Sequence, residues 1–217
     1  MNSKHVFIGP SIGTLKYTAF ADKGFTVHPP VQRGDVEKIT KDEKPDLIVL
    51  IDGYFENCLA VGHAEIRRAL EAGCKVIGLS SMGAIRAFEM RNLGMLGYGS
   101  VYARFLQSED FQDDEVSLLH APFHPFSPLT EPLVHIREAM QNLHELDAIS
   151  ATSRDMVISD LKGIWFGVRT INRWRASISE HCDRLALLQL DEIMKEPERF
   201  RIKNHDVQRF LETEAWK

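Results

Sequence analysis

The sequence predicts an α/β protein: a mostly parallel sheet flanked by helices, with a C-terminal helical region. Three observations predict it. The segments Asp46–Asp52 and Lys75–Leu79 are short aliphatic runs without polar alternation, the pattern of strands buried on both faces. Helix-spaced segments lie between such runs with short links, as a right-handed parallel crossover requires. Beyond residue 150 the chain reads as helix after helix. Charge divides at the same place, with 14 basic against 20 acidic residues up to 150 and 12 against 11 beyond it. The expected organisation is an α/β core domain over 1–150 and a helical region over 151–217 packed on it.

The elements follow in order. Val6-Phe7-Ile8 is a strand ended by Gly9-Pro10. Phe25–His28 is a second strand, stopped by Pro29-Pro30. Asp35 offers an N-cap for a short charged helix through Lys41. Asp46–Asp52 is the clearest strand of the chain. Val61–Leu70 has helical spacing and ends at Gly73. Strand Lys75–Leu79 leads into a helix through about Asn92, stopped by Gly94. In the second half Ile164, Trp165, Val168, Ile171, Trp174 and Ile178 recur at helical spacing, with Arg169, Arg173 and Arg175 among them. This predicts an amphipathic helix that packs on the core or docks a partner. Leu185–Ile193 and Val207–Leu211 read as two more helices, the last capped by Asn204.

Composition narrows the function. Apolar residues are 44% and charged residues 26% of 217, as in a globular protein. No apolar run reaches the roughly 18 residues of a membrane span, and the start of the chain lacks a signal-peptide pattern. A net charge of −5 argues against a general nucleic-acid binder. Cys58, Cys74 and Cys182 form no C-x-x-C pair, which disfavours a disulfide framework or zinc ribbon and points to the cytoplasm. Gly9–Gly13 lacks the G-K-[ST] ending of a phosphate loop, and His120 and His124 lack a third ligand at suitable spacing. Neither a metal nor a cofactor is expected.

Ligands of parallel α/β sheets sit beyond the carboxyl ends of the strands. Three segments fall there: Gly9–Ser11, Asp52–Phe55 and Ser80–Gly83. Ser81, on a tight strand-to-helix turn, is either a helix N-cap or a nucleophile beside oxyanion-stabilising amides. A nucleophile needs a base. His63 is one candidate, with Asp52 or Glu65 to orient it. Lys16 is another. A partly buried histidine and a solvated lysine are the structural alternatives. Asp113-Asp114-Glu115 suits a metal, a basic partner or plain solvation.

Several fragments in this order resemble TfuA-like proteins. They are Gly9-Pro10, Arg33-Gly34-Asp35, Ile51–Phe55, His63-x-Glu65-Ile66, Ser81–Ala87, Gly94–Gly99, Asp113–Val116 and Pro128–Val134 with Arg137. The likeness covers roughly residues 5–145. It implies an accessory role in peptide backbone thioamidation beside a YcaO enzyme. The partners implied are YcaO, a thiocarboxylated ThiS-like sulfur carrier, whose hydrolysis releases sulfide, and a ribosomal precursor peptide. Ser81 matches the serine of the family's Ser-Met-Gly-Ala run. Asp52, Gly53, Glu65, Met82, Gly83 and Arg86 lie in the matching motifs and are the candidates for substrate contact. The family pattern commonly reads His-Lys-Glu-Ile where this chain has His63-Ala64-Glu65-Ile66, so Ala64 stands in the place of a lysine. Either His63 or Lys16 then serves as base, or the protein acts as a non-catalytic scaffold for YcaO, carrier and peptide.

Overall fold

The aliphatic run of Leu47–Leu50 forms the central strand of a five-stranded sheet, and every residue of it is buried. The computed structural model describes residues 3–56 and 58–217. The strands are β1 (Lys4–Phe7), β2 (Phe25–His28), β3 (Leu47–Leu50), β4 (Lys75–Leu79) and β5 (Leu96–Tyr98). The helices are α1 (Thr18–Ala21), α2 (Asp35–Glu43), α3 (His63–Glu71), α4 (Met82–Met90), α5 (Gly99–Gln107), α6 (Leu133–Glu145), α7 (Ala151–Lys162), α8 (Ile171–His181), α9 (Arg184–Ile193) and α10 (Ile202–Thr213). All pairings are parallel, in the order β2-β1-β3-β4-β5. Val6 faces Val27 on one side and Val49 on the other, and Val49 faces Ile77.

Side chains alternate across the sheet with period two. Phe7, Ile48, Leu50 and Val76 face one core with α2, α3 and α4. Val6, Ile8, Val49, Ile51, Ile77 and Leu79 face the other, where α1 supplies Phe20, α10 supplies Val207 and Phe210, and the segment after α10 supplies Trp216. A third core joins α6 to α9 with Phe200. The last helix therefore closes the sheet, while α6, ahead of residue 150, shares its core with the helices after it.

Two glycines set the path from β4 into α4. A Cβ on Gly83 would lie 1.8 Å from the Leu50 carbonyl oxygen, and one on Gly78 would lie 2.0 Å from the Gly83 carbonyl oxygen. Helix and strand backbones touch there, and any larger residue would push them apart.

Several local expectations need correction. Asp35 is the first residue of α2, after Gly34 at φ +95°, and its carboxylate accepts from the Gln32 N–H at 2.9 Å. Asn204 lies inside α10 and donates to Glu198, so it does not cap the helix. The helical spacing of 164–178 is interrupted by a turn at Phe166–Val168, and α8 starts at Ile171 with Thr170 as its cap. The cause is Arg169. It is fully buried and donates to the carbonyls of Leu161, Ile164 and Asp114 and to the Asp114 carboxylate. That set of bonds pins irregular backbone in place of helix. Trp174 is buried, whereas Trp165 is exposed, and Arg175 pairs with Asp191 of α9. No described helix is long and apolar enough to cross a membrane.

Candidate functional site

β1 leads to β2 on one side, while β3 lies on the other. The loops after β1 and β3 diverge, and a crevice opens at the carboxyl ends of the two strands, where ligands of such sheets bind. Asp52, just past β3, reaches across it. Its Oδ2 accepts from the Gly9 and Ser11 N–H groups at 2.8 and 2.9 Å, and its Oδ1 accepts from Ser11 Oγ at 2.7 Å. A cavity of about 690 Å³ opens beside Ser11, walled by the 10–18 loop, the segment from Leu118 to Glu131 and the start of α10.

Lys203, in the first turn of α10, lines this cavity and is 1% exposed. Its Nζ donates to the Val116 carbonyl at 2.9 Å, and its own carbonyl accepts from Ser80 Oγ at 2.8 Å. Burial pulls its ammonium down to about 8, against the opposing charges of Asp52 and Glu131. Glu131 accepts from His135 Nδ1 at 3.0 Å and pairs with Arg201. Burial pushes the Glu131 carboxyl up, but His135 and Arg201 outweigh it and leave the group below its ordinary value. Burial holds His135 down to about 4, so its imidazole is neutral at pH 7 and bonds Glu131 through an Nδ1 proton. Tyr17 lines the same cavity. Its hydroxyl is pushed up by burial and by the charge of Asp52.

The candidates read from sequence are only partly brought together. Asp52 backs the cavity through Ser11, and Lys16 stands exposed on its wall. Ser81 is the N-terminal residue flanking α4, is 2% exposed and does not line the cavity. Its N–H donates to the Leu79 carbonyl and the Gly83 N–H to the Ile51 carbonyl, so both amides are already committed. The residue before it, Ser80, carries the left-handed backbone of the turn, at φ +64°. His63 is not joined to Ser81. Its Nε2 lies 2.8 Å from Glu89, on the exposed surface. Glu89 sits eight residues, roughly 12 Å, along α4 from Ser81. Glu65 accepts from the Gly62 and Gly34 N–H groups at 2.7 and 3.0 Å and ties two loops. Arg86 donates to the Val61 carbonyl and pairs with Glu89. Gly53 bridges to Val31 and packs against Met82, and Gly83 makes the helix–strand crossing. Glu115, within the acidic triplet, is buried and paired with Arg137.

Ser11 lies in the Gly9–Ser11 segment and Glu131 in the Pro128–Val134 motif noted in the sequence, but neither was given a role there, and His135, Arg201 and Lys203 were not singled out. A signal for Lys203 exists: positions 203, 207 and 210 share one helical stripe, so the lysine falls on the buried side with Val207 and Phe210. Away from the cavity, Asp160, Glu180 and His181 have ligand-type atoms within 4.8 Å of one another, with His181 bonded to Asp160 at 2.6 Å.

These features define a doubly wound α/β protein with a cavity, mainly apolar in its lining, beside the switch point of its sheet. A profile of the TfuA-like protein family matches residues 52–170, more than half of the chain. The chain belongs to the TfuA-like family, whose members have an accessory role beside YcaO enzymes. A comparison with curated proteins yields no match. Ser11 and Lys203 both lie outside the matched segment.

Proposed function

We propose that this protein supports YcaO-dependent thioamidation of a ribosomal peptide by hydrolysing a thiocarboxylated ThiS-like carrier, releasing sulfide, and by helping YcaO engage the peptide. The observation that carries the hydrolytic part is the cavity beside the β1/β3 crevice, which has Ser11, Glu131, Glu198 and Lys203 among its lining residues and room for an acyl group. Water adds to the thiocarboxylate carbonyl carbon, the C–S bond breaks, and carboxylate and hydrogen sulfide leave. The test mixes purified protein with thiocarboxylated carrier and follows the carrier by intact mass. Conversion to carboxylate above the rate in buffer supports hydrolysis. No acceleration refutes it.

One observation favours a second reading, a scaffold for YcaO, carrier and peptide. Ala64 stands where the family pattern has a lysine, and the neighbouring His63 is engaged by Glu89. A scaffold would bind YcaO and leave the carrier mass unchanged.

A further inference from the structure

We propose that Asp160, Glu180 and His181 are the ligands of a site for a divalent transition-metal ion of the zinc class, which joins α7 to the end of α8. The site stands apart from the cavity and is independent of the hydrolytic reading.

Three observations converge on it. The first is the convergence of donors. Asp160 lies in the last turn of α7, and Glu180 and His181 are the last two residues of α8. One ligand-type atom from each lies within 4.8 Å of the other two. Around a tetrahedral zinc with bonds of about 2.0–2.2 Å, donors sit roughly 3.3–3.6 Å apart, so small side-chain rotations close the shell. An imidazole beside two carboxylates suits zinc or iron, whereas calcium takes an all-oxygen shell.

The second is how the donors are held. Asp160 Oδ2 lies 2.6 Å from His181 Nε2 and accepts from Ser177 Oγ at 3.0 Å. Outer hydrogen bonds of this kind orient metal ligands. Glu180 adds a second negative charge that the Asp160–His181 bond does not use. Among the described residues its ion-pair partner is Arg173, at 3.9 Å and with a side chain 38% exposed, where such pairs are weak.

The third is access. A hollow of about 550 Å³ opens at the end of α8, with Glu180 and His181 on its wall and Asp147 and Asp183 beside them. The last carbonyls of α8 carry the negative end of the helix dipole. Both features favour a cation, and water from the hollow completes four ligands.

The exchange balances. The proton that His181 Nε2 donates to Asp160 moves to Nδ1 or to solvent, and the ion takes its place. His181 then ligates as a neutral imidazole. The two carboxylates offset the double positive charge.

Cobalt(II) is the probe, because a four-coordinate cobalt site absorbs visible light far more strongly than the hydrated ion. The full 217-residue chain is treated with chelator, desalted and titrated with cobalt(II) chloride. The expected result is a set of visible bands that saturates at one equivalent and is bleached by one equivalent of zinc(II). Asp160→Ala or His181→Ala abolishes the bands. Ser177→Ala keeps the stoichiometry and weakens affinity about 10-fold or more. His63→Ala, at an exposed histidine elsewhere, leaves the titration unchanged. Circular dichroism checks that each variant folds. Should His181→Ala fail to fold, Glu180→Gln, at an exposed position, carries the test and is expected to lose the bands. No bands, bands that survive His181→Ala, or a Glu180→Gln titration equal to wild type means an adventitious ion only and overturns the proposal. Carrier hydrolysis is not read in this experiment, so either reading can fail while the other stands.

Discussion

Replacing Lys203 by methionine makes the folded protein less sensitive to pH, by an amount that follows from the burial of the amine. An ordinary lysine holds its proton up to 10.5, whereas buried Lys203 releases it above about 8. Between those values the unfolded chain binds more protons than the folded one, so wild-type stability rises with pH. The penalty for carrying the buried ammonium is fully present below about 8 and lost by 10.5. From these two pKa values it amounts to about 3 kcal/mol at pH 7 to 8 and about 1 kcal/mol at pH 10. Methionine fills similar volume without charge but leaves the Val116 carbonyl without its donor, a pH-independent cost of about 1–3 kcal/mol. The absolute difference between the proteins at pH 7 is therefore small, but its pH dependence is not. Relative to Lys203→Met, wild type gains about 2 kcal/mol between pH 8 and pH 10. Other lysines and tyrosines titrate in both proteins and cancel in the difference. Urea unfolding at pH 7, 8, 9 and 10 and constant ionic strength measures it. A stability difference constant to within about 0.5 kcal/mol across that range would falsify the picture of a buried, depressed lysine.

Gly83→Ala places a methyl 1.8 Å from the Leu50 carbonyl oxygen and forces α4 off β3. The expected loss is about 3 kcal/mol or more, a fall of about 6–12 °C in Tm by thermal melting, and an unchanged Tm would show that the crossing gives way easily. Folded His135 titrates near 4, below its ordinary 6.5, so stability falls as pH drops from 6.5 towards 4. The contribution lost between pH 7 and pH 5 is about 2 kcal/mol. Glu131, also held below its ordinary value, adds to the loss at lower pH still. Urea titrations at the two pH values show the loss in wild type, and His135→Gln is expected to lack it. His63→Ala removes an exposed pair with Glu89 and should change stability by less than about 1 kcal/mol. It should also leave hydrolysis at the wild-type rate, and a lost activity would return His63 to the reacting groups.

Much of the fold was legible because its strands are chemically plain. Runs such as Leu47–Ile51 are apolar at every position, and that pattern depends only on being covered on both faces. Gly73 and Gly94, at φ +88° and +96°, announced helix ends because left-handed backbone suits glycine. The second half was less legible. Ile164 to Ile178 keeps helical spacing throughout, yet Arg169 binds three carbonyls and breaks it. Such bonds reach across the fold and leave no local period. β5, α5, α6 and α7 were not anticipated either. β5 has three residues, too short for a pattern, and α5 is tied at its start by Asp206 of α10, 106 residues away.

The sequence alone determined four of the five strands, the segments at their carboxyl ends and the family, because these rest on local periodicity and on motifs read along the chain. Asp52 was found this way, being a polar residue at the end of a buried strand. Only the tertiary structure decided which groups meet Asp52. Ser11 lies 41 residues away along the chain, and its bond to Asp52 forms only when β1 and β3 pair side by side. Lys203 arrives because α10 folds back over the sheet, bringing its backbone to Ser80 from 123 residues away. Its depressed pKa is a property of that enclosure. Burial and neighbouring charge exist only once the distant segments have packed, so no local stretch of sequence carries them.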